Sequence, residues 1–181
     1  DMRRFLKSDE GMISGAEFHV RRNTGSFGTI NYMANQDGFT LYDTVAYNYR
    51  HNEANGEDNR DGSEFNYSWN CGIEGATRKQ AIRKMREQQM RNAFLMLLLS
   101  QGTPMIYGGD EFANSQVGNN NAWCQDNAVG WTDWKNAKKQ ENLSTFVKEA
   151  IAFRKKHPIL HMPQEMRGVD YMAKGFPDIS V

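Results

Sequence analysis

Asp37 sits in Asn35-Gln36-Asp37-Gly38, where an apolar run stops and a helix-like pattern begins at once. A carboxylate at the end of a buried strand is costly to keep unless it binds, catalyses or caps. A second acidic pair, Asp110-Glu111, follows Gly108-Gly109 in a similar place. Beyond each lies a long polar loop. Residues 50–75 carry Tyr67 and Trp69, and residues 113–134 carry Asn120, Trp123, Asp126 and Trp131. Amides and carboxylates can meet hydroxyls while Trp and Tyr faces stack on the apolar face of a pyranose. That mixture is the chemistry of sugar recognition, with Trp69, Trp123, Tyr67 and Trp131 as candidate stacking rings.

Plainer roles exist for the same residues. Asp37 could cap the helix that begins near Thr40, and local pattern alone favours that role. Asp110 and Glu111 are expected to satisfy backbone amides in a tight turn. His51 and His157 stand alone in sequence, so neither a metal site nor a cofactor is expected. The string "EDNRDG" at 57–62 starts with Glu57 and has Ser68 where a calcium loop wants a bidentate Glu, so an EF-hand reading fails. Methionines 85, 90, 96 and 105 suit core filling.

The elements that must hold these groups follow from hydrophobic period and punctuation. A short helix is expected over 9–22, capped by Ser8 or Asp9, with Met12, Ile13, Ala16 and Val20 on one face. "TINYMA" at 29–34 reads as a buried strand. A helix over 40–49 places Leu41, Val45 and Tyr49 on one side, with Thr40 as cap. The loop 50–75 is long, and such loops are usually functional or disordered; Tyr67 and Trp69 argue for order. The strongest helix spans 76–100, its last two turns apolar on every side, and Gly102 and Pro104 stop it. Residues 104–108 read as a second strand, and 142–156 as a helix ended by His157-Pro158.

Strands separated by crossover helices pair in parallel. Two strands do not make a self-sufficient sheet, so the expected fold is α/β, a piece of a larger barrel or open sheet, with both chain ends falling inside modules. Residues 1–158 form that piece, and 159–181 begin another module. In such a barrel both polar loops leave the same end, and functional groups gather there.

Composition narrows the partners. Of 181 residues, 22 are Lys or Arg and 22 Asp or Glu, for a net charge of zero. That argues against nucleic acid or an anionic membrane as main partner, since both want a basic excess. The longest apolar run, 93–99, is far too short to span a bilayer. Cys71 and Cys124 fit no paired motif and are expected as free thiols. With no targeting signal apparent, a cytoplasmic location is expected, and the sequons at Asn66 and Asn142 carry little weight.

The strings "NQDGFTLYD", "HNEANGEDNRDG", "SWNCGIEG", "LLLSQGTPMIYGGDEF" and "GNNNAWCQDN" occur together and in order. They resemble the isoamylase and glycogen-debranching branch of the α-amylase superfamily, and the likeness runs through most of the chain. The resemblance implies the C-terminal portion of an eight-stranded β/α barrel, about strands seven and eight, leading into a β-sandwich. It implies a retaining glycoside hydrolase acting on α-1,6 branch linkages of glycogen or starch-like glucans. Retention needs a carboxylate nucleophile and a carboxylic acid; by the resemblance both lie on strands four and five, upstream of Asp1, so this chain by itself should be inactive. Asp37 corresponds to the third family carboxylate, which grips ring hydroxyls at the cleavage point. Gln36, Trp69, Asn120, Trp123 and Asp126 are the substrate-binding candidates.

The chain departs from the family pattern in places. Gln36 stands where the family motif has His, and Gln donates a hydrogen bond but cannot carry charge. Lys174 replaces a small residue or Cys, and Val181 an aromatic. The Gln36 change alone supports an alternative, a non-catalytic glucan-binding or regulatory subunit. Uncovered barrel edges are expected to favour self-association.

Overall fold

A computed structural model of the chain describes residues 1–180, so the Val181 departure lies outside the described residues. The chain opens with two short helices, α1 (Met2–Leu6) and α2 (Ile13–Arg21), rather than one helix over 9–22. Ser8 and Gly11 adopt left-handed φ values of 68° and 73°, which break the helix between them. Asp9 does not cap α2. Its carboxylate instead pairs with Arg4 at 3.0 Å and Lys7 at 3.3 Å.

Two strands, β1 (Ile30–Tyr32) and β2 (Thr103–Met105), pair in parallel with Asn31 opposite Pro104. The parallel pairing is as the element order predicts, but the strands are short. Side chains alternate across a strand, and here Met33 and Ala34 just beyond β1 are buried while Ile30 and Tyr32 are 66% and 51% exposed. The expected buried strand is therefore covered on one side only. Helices pack behind the sheet, and no second layer lies over Ile30 and Tyr32 among the described residues.

After β1 the chain enters α3 (Leu41–Thr44), with the Thr40 hydroxyl accepting from the Asp43 amide at 3.1 Å. The cap is the expected one, but the helix is a single turn. The following loop ties it off: Trp69 N–H donates to Thr44 O at 2.9 Å, Gly75 N–H to Ala46 O just beyond the helix at 2.8 Å, and the amides of Asn48 and Tyr49 donate to the Glu74 carboxylate at 2.8 and 3.1 Å. With those groups used, the i→i−4 ladder cannot run on to 49, and Tyr49 is 73% exposed.

The long helix α4 (Gln80–Leu99) supplies the core. Met90, Ala93, Phe94, Leu97 and Leu98 are buried against Leu41, Val45, Leu143 and Val147. Removing a ring such as Phe94 would cost about 3–5 kcal/mol. Leu95 and Leu99 stay 37% exposed, so the last turns are buried on one face rather than on all sides. The helix ends where Gly102 adopts φ 78°; a Cβ there would stand 2.6 Å from Thr29 O.

Two further helices complete the fold, α5 (Trp134–Lys139) and α6 (Glu141–Lys156), the latter packed on α4. Buried Arg154 of α6 donates to Leu98 O at 2.7 Å, Ser100 O at 2.6 Å and Gly102 O at 2.5 Å. A cation thus satisfies carbonyls that the C-terminus of α4 leaves free. Helix α5 begins at the end of the polar loop 113–134, in a stretch the sequence reading leaves unassigned; none of its residues is buried, so it has no apolar period to betray it. Residues 161–180 hold turns only, tied back where Arg21 donates to Met166 O at 3.0 Å and Asn23 to Met162 O at 2.7 Å.

Candidate functional site: the rim above the parallel strands

Both strands point the same way, so the segments after β1 and β2 leave the same end of the sheet. Asp37 and Gln36 sit exposed on the first. Asn35 turns the backbone there, its side-chain oxygen accepting from the Asp37 amide at 3.0 Å. Thr40, not Asp37, caps α3, and the Asp37 carboxylate faces across the rim instead. It accepts from the indole N–H of Trp123 at 3.2 Å. Trp123 is 71% exposed, so its ring keeps an open face while its edge holds Asp37. A carboxylate beside an open aromatic face can take hydroxyls on one side and a pyranose face on the other.

Below the rim lie buried carboxylates. Asp110, 3% exposed, accepts from the Leu41 amide at 2.9 Å, and the neighbouring Glu111 accepts from Gly109 N–H at 2.9 Å. Both satisfy backbone amides, but only Glu111 does so within its own turn as expected; the Asp110 partner lies 69 positions away. Burial pushes the Asp110 carboxyl up to about 7, helped by Glu111 and opposed by the Leu41 bond and Arg3. Asp43, fully buried, accepts from the Ser115 hydroxyl at 2.5 Å and from Gln116 N–H at 2.8 Å. Burial raises it to about 6 against those hydrogen bonds. Arg3 donates to Met33 O at 2.6 Å and Asn66 O at 3.0 Å.

Asparagines join the two long loops. Asn120 is 2% exposed, and its amide is spent inside the protein. Its N–H groups donate to Ser63 O and Asn66 Oδ1, both at 2.8 Å, and its oxygen accepts from Asn52 at 2.8 Å. Asn55 and Asn121 donate to Asp61 at 2.7 and 2.8 Å, holding its carboxyl below the usual carboxylate range. Loop 50–75 is thus ordered by side-chain amides, with one short 3₁₀ turn at Glu53–Asn55. Buried Arg86 of α4 fastens its far end, donating to Gly75 O at 2.7 Å, Asn70 O at 3.0 Å and Ile73 O.

The sequence-predicted binding residues therefore separate. Asp37 and Trp123 meet at the rim, and Gln36 is exposed beside Asp37 in the chain. Asp126 is exposed nearby in sequence, and its carboxylate accepts from Trp131 N–H at 2.9 Å, with Trp131 59% exposed. Trp69 differs from expectation: it is half-buried, packed on the hydrophobic core rather than presenting a free face. Asn120 differs too, because its polar atoms face other loop residues. Tyr67 is 50% exposed and stacks on Phe65. His51 contacts Glu74 at 3.1 Å. Among the described residues no three His, Cys, Asp or Glu side chains gather to hold a metal, and no helix is long and apolar enough to cross a membrane. Cys71 is buried, Cys124 is exposed, and both are free. Asp43, Arg3 and Arg86 escape the sequence reading, because nothing in a periodic pattern marks a buried charge whose partners are remote amides and carbonyls.

The same segments align with known proteins. A glycogen operon protein GlgX homolog of Mycobacterium tuberculosis is 48% identical over 140 residues, 77% of this chain and 19% of that protein. Rice isoamylase 1, chloroplastic, is 41% identical over 162 residues, covering 85% and 20%. The glycogen debranching enzyme of Dickeya chrysanthemi is 40% identical over 178 residues, covering 94% and 27%. Over most of its length the chain is similar to part of the isoamylases and glycogen-debranching enzymes. It spans about a fifth to a quarter of the length of these relatives. Solved pullulanases share the fold. The apo enzyme of Paenibacillus barengoltzii superposes with TM-score 0.63 at 21% identity, over 87% of this chain and 21% of that one. The Anoxybacillus enzyme complexed with maltotetraose gives 0.61 at 23%, over 87% and 20%. No protein-family model matches the chain.

Proposed function

We propose that the chain forms the strand-seven and strand-eight portion of a β/α barrel in a debranching α-glucan hydrolase, with the sugar-gripping carboxylate at Asp37. The contact between Trp123 and Asp37 carries this reading, because it unites the ends of two parallel strands in one exposed rim of sugar-binding character. The relatives named for glycogen debranching support the substrate class. In this reading β1 and β2 are the last two barrel strands, residues 159–181 begin the next module, and the protein works in the cytoplasm.

Asp37 stabilises the oxocarbenium-like transition state by holding ring hydroxyls of the sugar at the cleavage point. The nucleophile and the acid belong to strands four and five, which these residues do not include, so the chain by itself does not turn over substrate. Trp123 offers the stacking face, and Asp126 with Trp131 extends it. Asn120 and Trp69 serve the rim indirectly, by joining the loops and seating loop 50–75 on the core. The uncovered side of β1, with Ile30 and Tyr32, is where the remaining strands would dock, and in their absence it favours self-association.

A glucan-binding subunit without turnover is the second reading, and exposed Gln36 beside Asp37 favours it, since an amide cannot supply the charge of a protonated imidazole. One assay separates them. The full-length protein incubated with glycogen releases linear chains if the hydrolase reading holds. Retention on glycogen without any release of chains would establish the binding subunit instead.

A further inference from the structure

The segment 33–41, which carries Gln36 and Asp37, is held at both ends by charged side chains from distant parts of the chain. At its start Arg3 of α1 donates to Met33 O at 2.6 Å. At its end Asp110, just past β2, accepts from the Leu41 amide at 2.9 Å, across 69 positions of sequence. Between the clamps Gln36 and Asp37 are exposed, while Met33, Ala34, Phe39, Thr40 and Leu41 are buried. The two clamps feel each other's opposite charge. Arg3 also donates to Asn66 O at 3.0 Å, so it ties loop 50–75 to the same frame.

We propose that Arg3 and Asp110 are positioning residues that together set where the Asp37 carboxylate stands relative to Trp123. This rests on the reading of Asp37 as a sugar-gripping group. Thr40 already caps α3 and Leu41 N–H is the donor one residue later, so among the described residues Asp110 is the only remote acceptor at that helix start. An acceptor placed there fixes the turn from residue 37 to 41 against β2, and a carboxylate displaced by about 1 Å in an active site costs on the order of a hundredfold in rate. Burial alone would favour an apolar residue at 110. A carboxylate persists there with its partner amide four residues from Asp37.

The test reads the Trp123 indole N–H resonance in ¹⁵N-labelled chain, assigned with Trp123→Phe, and its position when the Asp37 partner is altered by Asp37→Asn. Asp110→Ala is expected to move the resonance in the direction that Asp37→Asn does, whereas Asp110→Asn, which keeps an oxygen acceptor for Leu41, leaves it near its wild-type position. Arg3→Gln frees the opposite end and is expected to move it as well, and it provides the reading if Asp110→Ala does not fold. A resonance unmoved in folded Asp110→Ala, or in Arg3→Gln, overturns the proposal. A maltohexaose titration forms the second arm: affinity falls about tenfold in Asp110→Ala and is restored in Asp110→Asn. Wild-type chain that ignores maltohexaose while its Trp123 resonance still follows residue 110 contradicts the sugar reading and leaves the positioning roles standing.

Discussion

The indole N–H of Trp123 donates to the Asp37 carboxylate across 3.2 Å, linking residues 86 positions apart. That bond brings together the loops that follow the two parallel strands. It also leaves the open face of Trp123 beside a carboxylate held by nothing stronger than one indole. Replacing Trp123 by Phe keeps an aromatic face and removes the bond; replacing it by Ala removes both. In the full-length protein, glucan affinity is expected to fall several-fold for Trp123→Phe, about the worth of one ordinary hydrogen bond of roughly 0.5–1.5 kcal/mol. Trp123→Ala is expected to lose more than Trp123→Phe. Equal affinities of both variants with wild type, measured by titration with maltotetraose, would remove Trp123 from the site.

Gln36 is expected to affect turnover more than binding. Its amide can donate to a sugar hydroxyl but stays neutral at every working pH. Gln36→His in the full-length protein is expected to raise kcat with little change in KM. A rate that stays the same or drops shows that charge at this position is irrelevant.

The buried carboxylates set a pH dependence with a definite sign. Asp110 titrates at about 7 and Asp43 at about 6 when folded, against an ordinary value of 3.8. Between roughly pH 4 and 7 the folded chain therefore binds protons that the unfolded chain has released, so these two groups lose stability as pH rises through that window. Asp110→Asn removes one of the two groups while keeping the acceptor for Leu41. The stability of the variant relative to wild type is expected to grow from pH 5 to pH 8, by on the order of 1 kcal/mol or more. Parallel thermal melts at the two pH values check this, and a difference that does not change with pH contradicts it.

Asn120 is expected to matter for stability. Asn120→Ala strips hydrogen-bond partners from Asn52, Asn66 and Ser63 O in a buried setting, and each buried group left unpaired costs about 1–3 kcal/mol. The variant is expected to melt earlier, with loop 50–66 cut sooner by protease. A protease pattern identical to wild type would show that the amide network does not hold the loop.

Parts of this architecture were legible in the sequence because they rest on local rules. The period of Leu143, Phe146, Val147, Ala150 and Ile151 foretells α6 to within a residue or two, and Thr40 declares the cap of α3. Parallel strands followed from the crossover order, and the two rim loops followed from the strands. The length of α3 was not legible, because Thr44 O and Ala46 O are claimed by amides 25 and 29 positions later in the chain. The break at Ser8 needed a left-handed backbone that sequence does not announce at a serine. At the site, Asp37 and Thr40 both read locally as helix caps; the fold gives the cap to Thr40 and turns the Asp37 carboxylate toward Trp123. Asn120 and Trp69 belong to the right loops, yet whether a loop side chain faces outward or binds its neighbour depends on tertiary contacts.

The central claim is that Asp37 grips the sugar at the point of cleavage. The most direct measurement is kcat on a branched α-glucan for Asp37→Asn in the full-length protein, with a melting curve to show that the variant is folded. Loss of a carboxylate that acts mainly in the transition state lowers kcat by about a hundredfold or more with a smaller change in KM. A folded Asp37→Asn protein that retains wild-type kcat contradicts the account.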